Sequence, residues 1–310
     1  MWSVPRFRAA AEDLCWLRDP SNIMFYLQMS RRIARQFGTD RKRKPVLVFQ
    51  NGKVGSQSIF SILVARGWPV LHTHHATHAW MKEAVDEGLP GTSRRWAASR
   101  LPEVRLLQHL LRGAQETGLS IIIPFRDPIT RSLSLCRHTN HGSRDLKETE
   151  QEALARLIFA YEEHFWLWAD ATPWEASAFS GHDHFDGTQP CWYERELKSG
   201  LQLGIDIFDS DLDFSEGFQI VSFGMAEVLL LKMETMDRCL PRALKMFLGL
   251  DLETSAIARK NVREDELYRD FCANVRISES KLERLLGTKV YTKFFTEEER
   301  AALRQRWVRL

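Results

Sequence analysis

Two short apolar runs, at 46–49 (VLVF) and 119–124 (LSIIIP), each pass directly into a polar turn and then into apolar residues at helical spacing. A buried strand that opens straight into a helix needs a crossover before its next partner, which commits such a chain to β-α-β pairing with parallel strands. After the first run, Ile59, Ile62, Leu63 and Ala65 carry the helical period, Gly67 ends it, and a second strand is expected at 69–71. A helix at 93–116, with Leu101, Val104, Leu107, Leu110 and Leu111 on its apolar face, delivers the chain to the third strand. Two further β segments, 218–223 and 228–233, flank Gly224, either as a hairpin or as separately placed strands. The pattern also predicts helices at 22–37 and 146–169, a loop rich in Gly, His, Asp and Phe at 172–190, and mostly helix toward the end. The expected fold class is three-layer α/β/α with a central parallel sheet, with ligands beyond the carboxyl ends of the strands.

At 310 residues, one domain covering 1–310 accommodates all of these elements. Within it, 1–44 reads as a helical, basic N-terminal extension, 45–140 as the ligand-binding core, and 141–310 as a helical acceptor-side and C-terminal part. The 43 basic and 41 acidic residues leave a net charge of +2, which gives no case for a general nucleic-acid or membrane binder. One stretch is lopsided: Arg31, Arg32, Arg35, Arg41, Lys42, Arg43 and Lys44 face the single Asp40. It reads as a solvated helix face and linker, or as a site that attracts an anionic acceptor. The five cysteines are widely spaced, with no CxxC pair, which points to a reducing compartment rather than zinc or redox chemistry. No run approaches the ~18 apolar residues of a membrane span, and no continuous apolar leader region stands near Met1, so a soluble cytoplasmic protein is expected.

The first turn, NGKVGSQS at 51–58, suits a phosphate. Unpaired N–H groups and the positive end of the macrodipole meet at the start of a helix and stabilise an anion there. Gly52 and Gly55 permit close backbone approach, Lys53 supplies a charge, and Ser56 and Ser58 supply hydroxyl donors, with Val54 and Gln57 completing the cradle. A tight connection carrying a lysine is the plainer reading. The Walker A pattern is absent, because Lys53 precedes Gly55 rather than following it, and this disfavours a kinase on the same scaffold. In the second turn, RDPITRSLS, Arg126 leaves the strand end, Pro128 suits a first helical turn, and Ser134 lies eight residues after Arg126. Arginine grips a phosphate monoester through two parallel charge-assisted bonds. The alternative makes Asp127 an N-cap and puts Arg126 and Arg131 in surface ion pairs.

The pairing of NGKVGSQS with RDPITRSLS resembles the sulfotransferases that use 3′-phosphoadenosine 5′-phosphosulfate (PAPS), whose fold is P-loop-like. The segments WYERELKSGLQLGIDIFD, VLLLKMETMD, ARKNVREDELY and YTKFFTEEE are similar to bacterial capsular polysaccharide synthesis proteins. Gly52 stands where many sulfotransferases have proline, and the string Asn-Lys-Trp-Tyr-Ser is absent. The resemblance implies that Lys53, Gly55, Ser56 and Ser58 bind the 5′-phosphosulfate, that Arg126 and Ser134 bind the 3′-phosphate, and that Arg259 with Lys260 assists. It implies PAPS as sulfuryl donor, no metal, and a carbohydrate or other polyhydroxylated acceptor. A catalytically inert nucleotide-binding or interaction protein is the rival reading.

An acceptor hydroxyl also needs a base, and LHTHHATH offers His72, His74, His75 and His78 just beyond the second strand. His74 or His72 is the first choice and Glu234 the second, while surface or satisfied core histidines, or a metal site, are the competing readings. Trp166, Trp168, Trp174 and Trp192 are candidates either for stacking on a sugar or for core packing.

Overall fold

A computed structural model of the chain describes residues 11–37, 43–50, 52, 54–88, 93–131, 134, 193–208, 211–253, 277 and 279–308. Two N-terminal helices, α1 (Ala11–Leu17) and α2 (Pro20–Phe37), precede strand β1 (Val46–Phe49) and helix α3 (Ser56–Ala65). Then come β2 (Val70–Thr73), α4 (His78–Asp86), α5 (Arg94–Thr117) and β3 (Leu119–Phe125). Beyond a helical turn of wide pitch at Tyr193–Gly200 lie β4 (Phe218–Phe223), β5 (Ala226–Lys232), a short turn at Met233–Thr235 and α6 (Met236–Leu248). The last described helices are α7 (Glu279–Leu286), α8 (Lys289–Phe294) and α9 (Glu297–Trp307). The predicted helix at 146–169 and loop at 172–190 fall outside the described residues.

The strands form one mixed α/β sheet in the order β2-β1-β3-β5-β4. β1 pairs in parallel with β2 and β3, and β3 with β5, as the strand-to-helix turns require. Of the two arrangements open for 218–223 and 228–233, the hairpin is found: β4 runs antiparallel to β5, so the otherwise parallel sheet is mixed. Only Gly224 and Met225 separate the two strands, and Gly224 takes a φ of 55°. A two-residue connection with a left-handed first position closes a hairpin and cannot make a parallel crossover.

Alternation along the strands divides the core between the two faces. Leu47, Phe49, Ile121, Ile123, Val228 and Leu230 pack with α5 residues Leu106, Leu107 and Leu110 and with the C-terminal helices through Leu282, Tyr291 and Trp307. Val46, Val48, Ile122, Leu229 and Leu231 face Ile59 and Leu63 of α3 and Leu240 and Leu244 of α6. The side chains pointing each way follow the period of two, and helices therefore cover both faces. The N-terminal helices are tied down separately. Asp13 is fully buried, accepts from Arg105 Nε at 2.8 Å and Nη2 at 2.9 Å, and pairs with Lys82 at 2.9 Å. Burial pushes this carboxyl up, but the bonds from Arg105 and Lys82 outweigh it and hold the pKa below the ordinary range. Asp19 fixes the start of α2 by accepting from Ser21 N at 2.7 Å, so the helix begins two residues before the apolar period becomes readable.

Candidate functional site

Gly52 and Gly55 both adopt left-handed backbone, with φ of 88° and 72°. Gly55 is the N-cap of α3 and supplies no side chain to cap its first turn. The end of β5 presses against the same point. A Cβ on Gly55 would stand 2.8 Å from Met233 Cε and closer still to Met233 Sδ. Val54, Ser56 and Ser58 are buried, Gly52 is partly exposed and Gln57 is exposed.

The second turn meets the first. Asp127 accepts from the N–H groups of Ile129 at 3.2 Å and Thr130 at 3.1 Å, and so caps the helical segment that starts at 128. Arg131, one turn along, is not the surface ion-pairing residue of the alternative reading. It is 1 % exposed, and its Nε donates to the Gly52 carbonyl at 3.2 Å. A buried guanidinium thus joins the loops that follow β1 and β3. Arg126 and Ser134 are both partly exposed on this second turn. Glu234, just past β5, accepts from Asp127 N at 2.8 Å, and the buried Tyr291 phenol of α8 donates to the Asp127 carboxylate. Burial and the neighbouring Asp127 carboxylate push Glu234 up to about 7.

The histidines divide among separate partners. β2 runs two residues further than predicted, to Thr73, so His72 lies inside the strand rather than beyond it. There it faces α3: its Nε2 is 2.9 Å from Ser56 Oγ, and its ring stacks on Phe60 at 5.3 Å. The Gln50 amide nitrogen sits 2.8 Å from His74 Nε2 and 3.4 Å from His72 Nε2, while its oxygen accepts from Gly52 N. Burial, assisted by Arg100, pushes His72 down to about 4, and burial with the charges of His75 and Arg100 holds His74 well below the usual imidazole range. Both rings are therefore neutral. His75 turns away to Glu196, with Nδ1 3.5 Å from Oε1, and Glu196 also accepts from Ala76 N at 2.7 Å. His78 pairs with Gln108 at 2.9 Å. Among the described residues no group of three His, Cys, Asp or Glu is arranged to hold a metal.

Lys53, Arg259, Lys260 and the four candidate tryptophans lie outside the described residues. The sequence reading missed Gln50, Glu196, Tyr291 and Glu103. Glu103 on α5 pairs with Arg100 at 3.6 Å. Its Oε2 is buried without a partner among the described residues, and burial pushes the carboxyl up to about 7. Gln50 was legible, because alternation along β1 puts it on the face of Val46 and Val48. Tyr291 and Glu196 reach the site only through tertiary packing.

Residues 185–296 match the family model described as "Putative capsular polysaccharide synthesis protein". No curated protein and no solved structure matches the chain. The matched segment carries β4, β5, α6, α7 and α8, and it reaches both loops and the histidine turn through Glu196, Met233, Glu234 and Tyr291. In this segment the chain is similar to capsular polysaccharide synthesis proteins.

Proposed function

We propose that the protein is a sulfotransferase that moves the sulfuryl group of PAPS to a hydroxyl or amine of a carbohydrate or other polyhydroxylated acceptor, on a P-loop-like sulfotransferase fold formed as one domain. The observation that carries this reading is the bond from buried Arg131 to the Gly52 carbonyl. It joins two anion-suited turns on neighbouring parallel strands, which is the arrangement a ligand with phosphates at both ends needs. The uncapped start of α3, the left-handed Gly52 and Gly55, and the hydroxyls of Ser56 and Ser58 suit the 5′-phosphosulfate. Arg126 and Ser134 suit the 3′-phosphate, with Arg259 and Lys260 as further cations. The family match supports a polysaccharide acceptor.

In this mechanism the acceptor oxygen attacks sulfur in line, the bond from sulfur to the donor's bridging phosphate oxygen breaks, and 3′-phosphoadenosine 5′-phosphate (PAP) leaves. Lys53 neutralises the charge that builds on the bridging oxygen, while the fixed dipoles of the α3 start hold the phosphate. His74 takes the acceptor proton. Its depressed basicity belongs to the ligand-free protein, and the donor's negative charges beside the ring offset burial and Arg100 and raise it. His72, engaged with Ser56, acts as a positioning residue.

Two outcomes follow. In wild type, PAP at 100 times its Kd stabilises the protein by about 2.7 kcal/mol, and Lys53→Ala and Arg126→Ala each cut the resulting melting shift sharply. Unchanged shifts in both variants would refute the site assignment. His74→Gln retains the PAP shift but lowers labelled sulfate transfer by roughly 10²–10⁴-fold. Full transfer in that variant would remove His74 as the base.

A further inference from the structure

We infer that the exposed arginine face of α2 is a docking surface for an anionic polysaccharide, specifically a carboxylate-bearing glycan. The inference rests on the sulfotransferase reading above and narrows its acceptor class. Gln28, Arg31, Arg32 and Arg35 recur at helical spacing on one side of α2 and line a concavity of about 440 Å³. All three arginines are exposed. Among the described residues none of them makes a hydrogen bond or ion pair. Exposed arginines elsewhere either pair, as Arg242 does with Glu216, or stand singly without a partner, as Arg18, Arg112 and Arg238 do; only on α2 do three unpaired ones share a face among the described residues.

Leaving Arg31 and Arg35 four residues apart on one helix face costs a few tenths of a kcal/mol through like-charge repulsion. Bound anions relieve that cost. A carboxylate matches the planar guanidinium fork with two parallel bonds. Gln28 adds an amide that both donates to and accepts from sugar hydroxyls. The face spans eight residues of helix, a rise on the order of 10 Å, which suits a few consecutive sugars and not a long duplex. The net charge of only +2 argues against a broad nucleic-acid field. A lipid surface would require a continuous apolar stripe, whereas Met24 is the only large apolar side chain of α2 that is strongly exposed among the described residues.

The test is fluorescence anisotropy on the full chain with labelled hyaluronan oligosaccharides, with labelled dextran as the neutral glycan. Anionic phosphatidylglycerol vesicles and duplex DNA serve as competitors. Wild type is expected to bind hyaluronan in a salt-sensitive way and to ignore dextran. The triple variant Arg31→Gln/Arg32→Gln/Arg35→Gln is expected to lose at least tenfold in hyaluronan affinity while melting at the wild-type temperature and keeping its PAP shift. Equal hyaluronan binding by the triple variant would overturn the inference, as would vesicles or DNA displacing the glycan while binding more tightly through the same arginines. An absent PAP shift in wild type would instead remove the donor reading, and hyaluronan binding that depends on these arginines would still stand.

Discussion

Replacing Gly55 with alanine is expected to distort the donor loop and to cost roughly 2–3 kcal/mol of stability. The residue sits at φ 72°, a region that costs a non-glycine residue about 1–2 kcal/mol. The added Cβ would also meet Met233 Cε at 2.8 Å and Met236 Cε at 3.3 Å, and because both are flexible methionine ends the overpacking adds about 1 kcal/mol, the low end of its usual cost. The contacting groups are the flexible thioether ends of Met233 and Met236, so these side chains turn aside to relieve the clash and repack beside the candidate phosphate site. Chemical denaturation should therefore report a loss of roughly 2–3 kcal/mol, with PAP binding weakened. A control at Gly67, where φ is 73° but a Cβ would meet nothing within 4 Å, should show only the backbone cost and keep PAP binding. Equal effects at the two positions would show that the close approach to Met233 does not shape the loop.

Glu299→Ala is the second large effect. Lys232, the last residue of β5, is fully buried, and its ammonium donates to Glu299 Oε1 at 2.8 Å and Oε2 at 2.7 Å. The rings of Phe295 and Phe214 stand 5.0 Å and 5.7 Å from the ammonium. Truncating the glutamate leaves a desolvated cation with no counter-charge, at a cost of about 3 kcal/mol, the low end for breaking a buried pair, because Glu299 itself is partly exposed. The same change removes the capping box at the start of α9, where Glu299 Oε2 accepts from Thr296 N at 2.8 Å. Lys232→Met combined with Glu299→Ala should recover much of the loss, since an apolar side chain fits among those rings without a partner. A double variant no more stable than Glu299→Ala would show that the cost lies in the cap and not in the unpaired charge.

The sheet was legible where local chemistry decides it. β1 and β4 fall on the predicted residues because apolar β-formers stop at polar turns, and α5 matches the predicted helix to within a residue at each end. β2 was cut short because His72 and Thr73 look polar, although as the third and fourth positions of a strand they pair with Val48 and Phe49 of β1. Gly224 left the direction of β4 open, since periodicity carries no information about strand orientation. The site was legible as two anion-suited turns. It was not legible as one site, because the bonds that join and brace the turns are long-range: Arg131 to Gly52, Tyr291 to Asp127 and Lys232 to Glu299. Arg131 illustrates the limit well. In sequence it is one more surface cation, and only packing makes it the buried link between the loops.

The central claim is that the two turns together bind a ligand carrying phosphates at both ends, and calorimetric titration of the full chain with PAP and with adenosine 5′-phosphate tests it most directly. Two charge-assisted bonds to the 3′-phosphate are worth roughly 3 kcal/mol together, so PAP should bind in a one-to-one complex about 100 times more tightly than adenosine 5′-phosphate. Equal affinity for the two nucleotides, or no binding of PAP, would contradict the account.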